Sequence, residues 1–284
     1  MDLTVRVHPN ANLEQLSTLQ LRTLILLIDR PSIMFNLPKK LQSLIITLND
    51  SCKDFKLIDS FVCPILQSFT YRGKLQIDLS LIKCGTINII NMNITSDIKF
   101  DQSVQFIVYE NCRIGANNVT GPNTISVDFD GCVFVDHNDQ TSVGSIAFPT
   151  TLNRLNISSY CSINISTVPK KLQKLILSGC KHVIFDLETS GPTLIQLTDL
   201  TINNIEHFQL RKPFPDTLIS LHISNVFGLE RYPITCQQLQ YLILYNTDVN
   251  VNAVPKCKEL NLILMPKPEQ IDLHEKVYWN GFVL

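Results

Sequence analysis

The chain has 284 residues, with 24 Lys and Arg against 25 Asp and Glu and a formal net charge of -1. That balance leaves no global field to draw the protein onto nucleic acid or a membrane surface, and apolar runs of about five residues are too short to span a bilayer. Leu and Ile dominate while Gly is scarce, at 10 residues, so low-complexity disorder is excluded and a sizeable core can be built.

Residues 1–10 alternate like a strand and carry neither the basic start nor the apolar run of a signal peptide. From there one apolar skeleton recurs. Its clearest copies place Pro38, Leu41, Leu44 and Ile46, and again Pro169, Leu172, Leu175 and Leu177, at matching intervals around a shared Pro-Lys-Lys-Leu-Gln. The same Pro-x-x-Leu-x-x-Leu-x-Leu/Ile pattern returns at Pro149, Leu152, Leu155 and Ile157, and at Pro215, Leu218, Leu221 and Ile223. Aligned on the second apolar residue, the series runs Val5, Leu24, Leu44, Phe69, Ile90, Ile107, Val127, Leu155, Leu175, Leu200, Leu221, Leu242, Leu260 and Phe282. These are fourteen candidate strands, recurring on average at about every twenty-first position.

The two-residue period of a strand explains the spacing within each copy. Leu24 and Leu26 point into a core and Ile25 to the opposite face, while Leu21 enters from the preceding turn. One repeat cannot bury such an edge alone, so the copies stack into a parallel sheet. The position eight beyond the first apolar residue holds Asn10, Asn49, Thr95, Cys112, Cys132, Cys180 or Thr247. A small polar group there can partner the backbone groups freed where a strand bends away, which reads Cys112, Cys132 and Cys180 as structural thiols. Three residues before the first apolar position sits Pro38, Pro149, Pro169 or Pro215, or else Cys63, Cys84 or Cys236. Proline is read there as fixing an extended lead-in to the strand.

The spacings 20, 25, 21 occur from Leu24 to Ile90 and again from Leu155 to Leu221, at an offset of 131. That reads as an internal duplication, about 21–130 and 152–262, within a single solenoid over 1–284. The longest interval, from Val127 to Leu155, carries a polar stretch at 135–142 that is expected on the surface.

Together these residues resemble the leucine-rich repeat superfamily, whose repeats run roughly 20–29 residues. The Pro-containing form is similar to the irregular repeats of FNIP-type and F-box-associated proteins. The resemblance implies an α/β-type solenoid, mostly β: a leucine-rich repeat horseshoe with a parallel concave sheet of about 14 short strands. Connections this short predict irregular or 3-10 convex segments with few full helices. The implied function is a non-enzymatic intracellular module that binds a protein through the concave sheet face. The substrate-recognition part of an F-box type ubiquitin ligase is an alternative, although no F-box-like helical segment is found to carry it.

Little in the chain reads as catalytic. It has no phosphate-binding glycine loop, no Gly-x-Ser-x-Gly elbow and no His-Glu-x-x-His, and its six histidines are scattered along the chain. Nine cysteines without a CxxC pair or zinc spacing point to reduced thiols in the cytosol or nucleus, with no metal and no cofactor expected. Asp128, Asp130 and Glu110 fall on outward positions, and paired carboxylates on a parallel sheet could also serve a β-helix enzyme of carbohydrates. The plainer reading is an acidic patch facing Arg154 and Lys174.

The expected partner-binding residues are Phe106, Glu110, Asp128, Asp130, Arg154, Lys174, His222, Tyr241 and Tyr245, all outward by strand alternation. Tyr241 and Tyr245 are the expected anchors, since aromatic residues dominate interface energetics. Near the N-terminus the outward Ile25, Leu27 and Ile45 are apolar too, which predicts a cover from a partner or from another copy of the chain.

Overall fold

The computed structural model describes residues 1–7, 14–29, 37–50, 52, 63, 65–116, 118–135, 148–165, 169–185, 196–211, 213–229, 233–249, 257–263, 277–279 and 282–283. The chain forms two compact units: Met1–Asp139 with Ser145–Thr151, and Gln140–Gly144 with Leu152–Leu284.

In the first unit the main-sheet strands are β1 (Asp2–Val7), β2 (Thr23–Ile28), β3 (Ser43–Leu48), β4 (Ser68–Arg72) and β5 (Thr86–Ile90). After β5 the chain adds β6 (Asn93–Ile94), β7 (Phe106–Glu110), β8 (Arg113–Ile114), β9 (Ser126–Asp130) and β10 (Val133–Phe134). The main sheet is parallel, in the order β1-β2-β3-β4-β5-β7-β9, and β6, β8 and β10 form a second parallel sheet. Each turn of chain thus lays one strand in each sheet from β5 onward, which is a solenoid.

The second unit is built alike. Its strands are β11 (Arg154–Ser158), β12 (Ser162–Ile165), β13 (Lys174–Ser178), β14 (His182–Phe185), β15 (Asp199–Ile205) and β16 (His207–Leu210). They continue as β17 (Ser220–Val226), β18 (Tyr241–Thr247), β19 (Glu259–Ile263), β20 (Val277–Trp279) and β21 (Phe282–Val283). The order β11-β13-β15-β17-β18-β19-β20 is parallel, β21 closes it antiparallel, and β12, β14 and β16 make the second sheet. Among the described residues the only helical segment is the 3-10 turn Glu14–Thr18.

The inward columns are the core. Leu24, Leu44, Phe69, Ile87, Ile107 and Val127 stack at 0–1% exposure in the first unit, as do Leu155, Leu175, Leu200, Leu221, Leu242 and Leu260 in the second. Each such side chain contributes about 1.5–3 kcal/mol by leaving water. Tyr71 and Tyr109 fill the next inward column, and their hydroxyls donate to the carbonyls of Leu75 and Val119, so no buried polar tip is left over.

Three registers differ from the sequence reading. Leu3, not Val5, lies opposite Leu24, because simple alternation in β1 allows either frame and the pairing selects one. Ile87, not Ile90, lies between Phe69 and Ile107, with Cys84 as the first inward residue. The run Ile87, Ile89, Ile90, Met92 offers two apolar frames, and β5 takes the earlier one, Ile87 and Ile89, with the bend following at Asn91. The interval that begins at Phe69 therefore ends at Ile87, and only the intervals of 20 and 25 recur at the offset of 131. Val277 rather than Phe282 follows Leu260, while Phe282 pairs antiparallel with Trp279.

Two local devices recur along the turns. The Pro-x-x-Leu segments are tight turns and not extended lead-ins: the Leu41, Leu172 and Leu218 amides donate to the carbonyls of Pro38, Pro169 and Pro215 at 2.9–3.1 Å. The turn uses only the proline carbonyl, so the missing N–H costs nothing. Cys63 and Cys236 occupy the same place with the same bond to Leu66 and Leu239.

The second device bends the chain just after the main strand or at its penultimate residue. Asn91, Asn111 and Gly131 in the first unit, and Gly179, Asn204, Asn225 and Asn246 in the second, all have φ between 45° and 66°. Asparagine and glycine are the residues that tolerate this left-handed conformation. Where irregular or 3-10 convex segments were expected, these bends lead at 91–94, 111–114, 131–134, 179–185 and 204–210 into the strands of the second sheets. The residue after the bend points inward: Met92, Cys112, Cys132 and Cys180 are buried there, so Met92 rather than Thr95 belongs to that column. Of the polar stretch at 135–142 all but Val135 lies outside the described residues, as does Leu284.

Candidate binding face

The side chains that alternate with the core line the outward face of each main sheet, where neighbouring strands are about 4.8 Å apart. In the first unit Phe106 projects at 42% exposure, with Thr86 and Ser126 on either side. Glu110 and Asp130 are register partners on β7 and β9, both exposed, and Ile90 follows them in the same column. Asp128 lies opposite Val108 and is half-buried. Like charges directly across a pair of strands repel, so Glu110 and Asp130 stand there at some expense of stability.

In the second unit Arg154, Lys174 and Asp199 are successive partners, followed by Ser220, Tyr241 and Glu259. Tyr241 is 46% exposed. Tyr245 lies further along the same strand, beside Ser224, and Ser224 donates to the Asn203 side chain at 2.8 Å. His222 sits on β17 opposite Ile243, between the levels of the two tyrosines. Tyr241, Ile243, Tyr245 and His222 therefore form one patch, while Lys174 and Arg154 lie two and three strands beyond His222 along the sheet.

Burial holds His222 below its ordinary pKa of 6.5. Its contribution to stability should be complete above that value and decline as pH falls through the lowered one. A proton NMR titration in which the His222 ring titrates above 6.5 would contradict this.

Some outward features were not read from the sequence. Tyr160 is 63% exposed just past the end of β11, where its hydroxyl donates to the Glu206 carboxylate at 3.2 Å, and Phe227 is 50% exposed just past β17. The available signal was a large aromatic breaking the alternation. His182 and His207, one turn apart, are partners in the second sheet with ring centroids 6.2 Å apart. Among the described residues no group of three or more His, Cys, Asp or Glu side chains is placed to hold a metal. A polar groove of about 470 Å³ in the first unit runs past Asp78, Asp97 and Lys99, but its central Gln76 is spent on the backbone of Thr95 and Ser96.

All nine thiols are free and buried. Cys112 and Cys132 donate to the carbonyls of Ile89 and Tyr109 on the preceding turns, at 3.3 and 3.5 Å. Burial pushes the Cys63 thiol up to about 11 and those of Cys84 and Cys236 up to about 12. A hydrogen bond shared with Cys112, and then burial, holds Cys132 far above the ordinary thiol range. The same bond holds Cys112 below that range, as one with Cys161 does for Cys180, so these two are protected by enclosure alone. Cys112, Cys132 and Cys180 should therefore resist a maleimide in the folded protein and react once it is denatured. Rapid labelling of any of the three without denaturant, read by peptide mass, would contradict that placement.

Compared with known proteins, the sequence matches no family model and no curated protein.

Proposed function

We propose that the chain is a non-enzymatic protein-binding module inside the cell, of leucine-rich repeat type, with the outward face of its main sheet as the concave binding side. The observation that carries this reading is the patch of Tyr241, Ile243, Tyr245 and His222, in which an aromatic side chain stands 46% exposed over a firmly buried sheet. Tyrosines on rigid strands lose little entropy when a partner covers them, which is why such residues anchor interfaces. The partner is a protein with a groove or apolar edge that admits two tyrosines about 13 Å apart along one strand.

The test is affinity capture from native lysate with the wild type, Tyr241→Ala/Tyr245→Ala, and Asp128→Lys/Asp130→Lys. A partner retained by the wild type should be lost from the tyrosine variant, each anchor being worth on the order of 2 kcal/mol, about thirtyfold in affinity. The thermal transition of that variant should be unchanged. Normal recovery by both double variants rules out this face.

The registered carboxylates Glu110 and Asp130 favour a second reading, a β-helix enzyme of carbohydrates, since adjacent strands carry two acids side by side and glycoside cleavage uses a pair of them. A reducing-sugar assay on common polysaccharides separates the two readings. Activity lost in Glu110→Gln would replace the binding module with the enzyme.

A further inference from the structure

Strand β1 is the first strand of the first unit's sheet and, among the described residues, pairs with β2 alone. The ladder decides which backbone groups face away from β2. The Arg22 amide donates to the Met1 carbonyl, and successive residues of a strand alternate the side to which their N–H and C=O point. Met1, Leu3, Val5 and Val7 therefore address β2, while Asp2, Thr4 and Arg6 direct their backbone groups outward. The end of the core is thinner here as well: Leu3 and Val5 are half-buried, whereas their partners Leu24 and Leu26 are fully buried. The strand holds no Pro, Gly or Lys of the kind that blunts an edge against pairing.

We infer that β1 pairs antiparallel with β1 of a second copy of this chain, across a two-fold axis at Thr4. The occupant is chosen by complementarity within the strand itself. About that axis Asp2 of each copy faces Arg6 of the other, Leu3 faces Val5, and Thr4 faces Thr4. All three edge-facing residues then become hydrogen-bonded pairs, giving six backbone bonds, and both charge pairs are of opposite sign. Leu3 and Val5 of each copy cover those of the other and continue the inward column across the axis. Shifting the pairing by two residues either way loses bonds and parts Asp2 from Arg6. Arg6 already holds Asp29 of its own chain through Nε at 2.9 Å, which orients the guanidinium and leaves its terminal nitrogens for Asp2 of the second copy. The inference stands independently of the protein-binding reading, because it uses the sheet edge and not the outward face.

The test uses the full chain. Light scattering over a concentration series should approach twice the mass of one chain. Thr4→Pro removes an amide that faces the edge and not β2, so it should give a monomer with an unchanged circular dichroism spectrum. Thr4→Cys should cross-link to a covalent dimer under copper–phenanthroline, since the symmetric pair sits at about 5.5 Å between Cα atoms, within the range of roughly 4.4–6.8 Å that a disulfide bridges. Asp2→Cys should not cross-link to itself, because the two copies of that position are about 14 Å apart. A wild type that is monomeric at every concentration overturns the inference, as does a dimer that survives Thr4→Pro. Cross-linking of Asp2→Cys as readily as Thr4→Cys overturns the register.

Discussion

Leu175→Ala should lower the unfolding free energy by about 2–5 kcal/mol. Leu175 is fully buried, lies directly between Leu155 and Leu200, and has inward side chains of the same column on both sides. Truncation removes the transfer energy of the missing atoms and leaves a cavity that two rigid neighbouring turns cannot close. A denaturant titration should show a lower midpoint with an unchanged slope. If the two units melt separately, the shift belongs to the transition of the second. Ile176→Ala, one residue on and facing outward, should cost far less. A loss at Leu175 below about 0.5 kcal/mol, the range of ordinary surface substitutions, would remove it from the core.

Asn225→Ala should have the next largest effect, about 2 kcal/mol, for a different reason: the loss of two hydrogen bonds together with backbone strain. Asn225 has φ 50°, donates through Nδ2 to the Asn204 side chain at 2.6 Å, and accepts from Asn246 at 2.9 Å. Alanine forfeits both bonds, worth about 0.5–1 kcal/mol each, and bears the left-handed penalty of roughly 1 kcal/mol that a Cβ brings. Asn225→Gly loses the bonds but not the conformation, so it should be the milder of the two in thermal or chemical unfolding. An alanine variant as stable as the glycine variant would mean that the bend is not what the side chain supports.

Much of the main sheet was legible because burial imposes a period. Around Leu44 and Leu175 the Pro-x-x-Leu lead-in singles out one frame of the alternation, so the inward residues announce themselves. Around Ile87, Ile89, Ile90 and Met92 two frames are equally apolar, and the choice between them is made by a bend that a single Asn91 specifies. The second sheets left almost no trace, since strands of two residues such as β6, β8 and β10 are too short to show a period. The outward positions of Phe106, Glu110, Asp130 and Tyr241 followed from the same alternation that placed the core. Tyr160 and Phe227 did not, because they lie beyond the strand ends where alternation stops. A role for the outward residues was not legible at all, because side chains released from packing follow no period that names a ligand.

The left-handed bends recur at matching places from turn to turn and keep the same columns in register, which bears on how such a gene can change. A recombination that inserts or deletes one whole turn leaves the remaining registers matched, and a duplication of several turns does the same. The recurrence of the intervals 20 and 25 at an offset of 131 has the form such an event leaves behind. An insertion of part of a turn instead carries Asn or Gly off its bend and an apolar residue off the inward column, and selection removes it. Lineages can thus vary this chain in length by quanta while every interface between turns stays as it was.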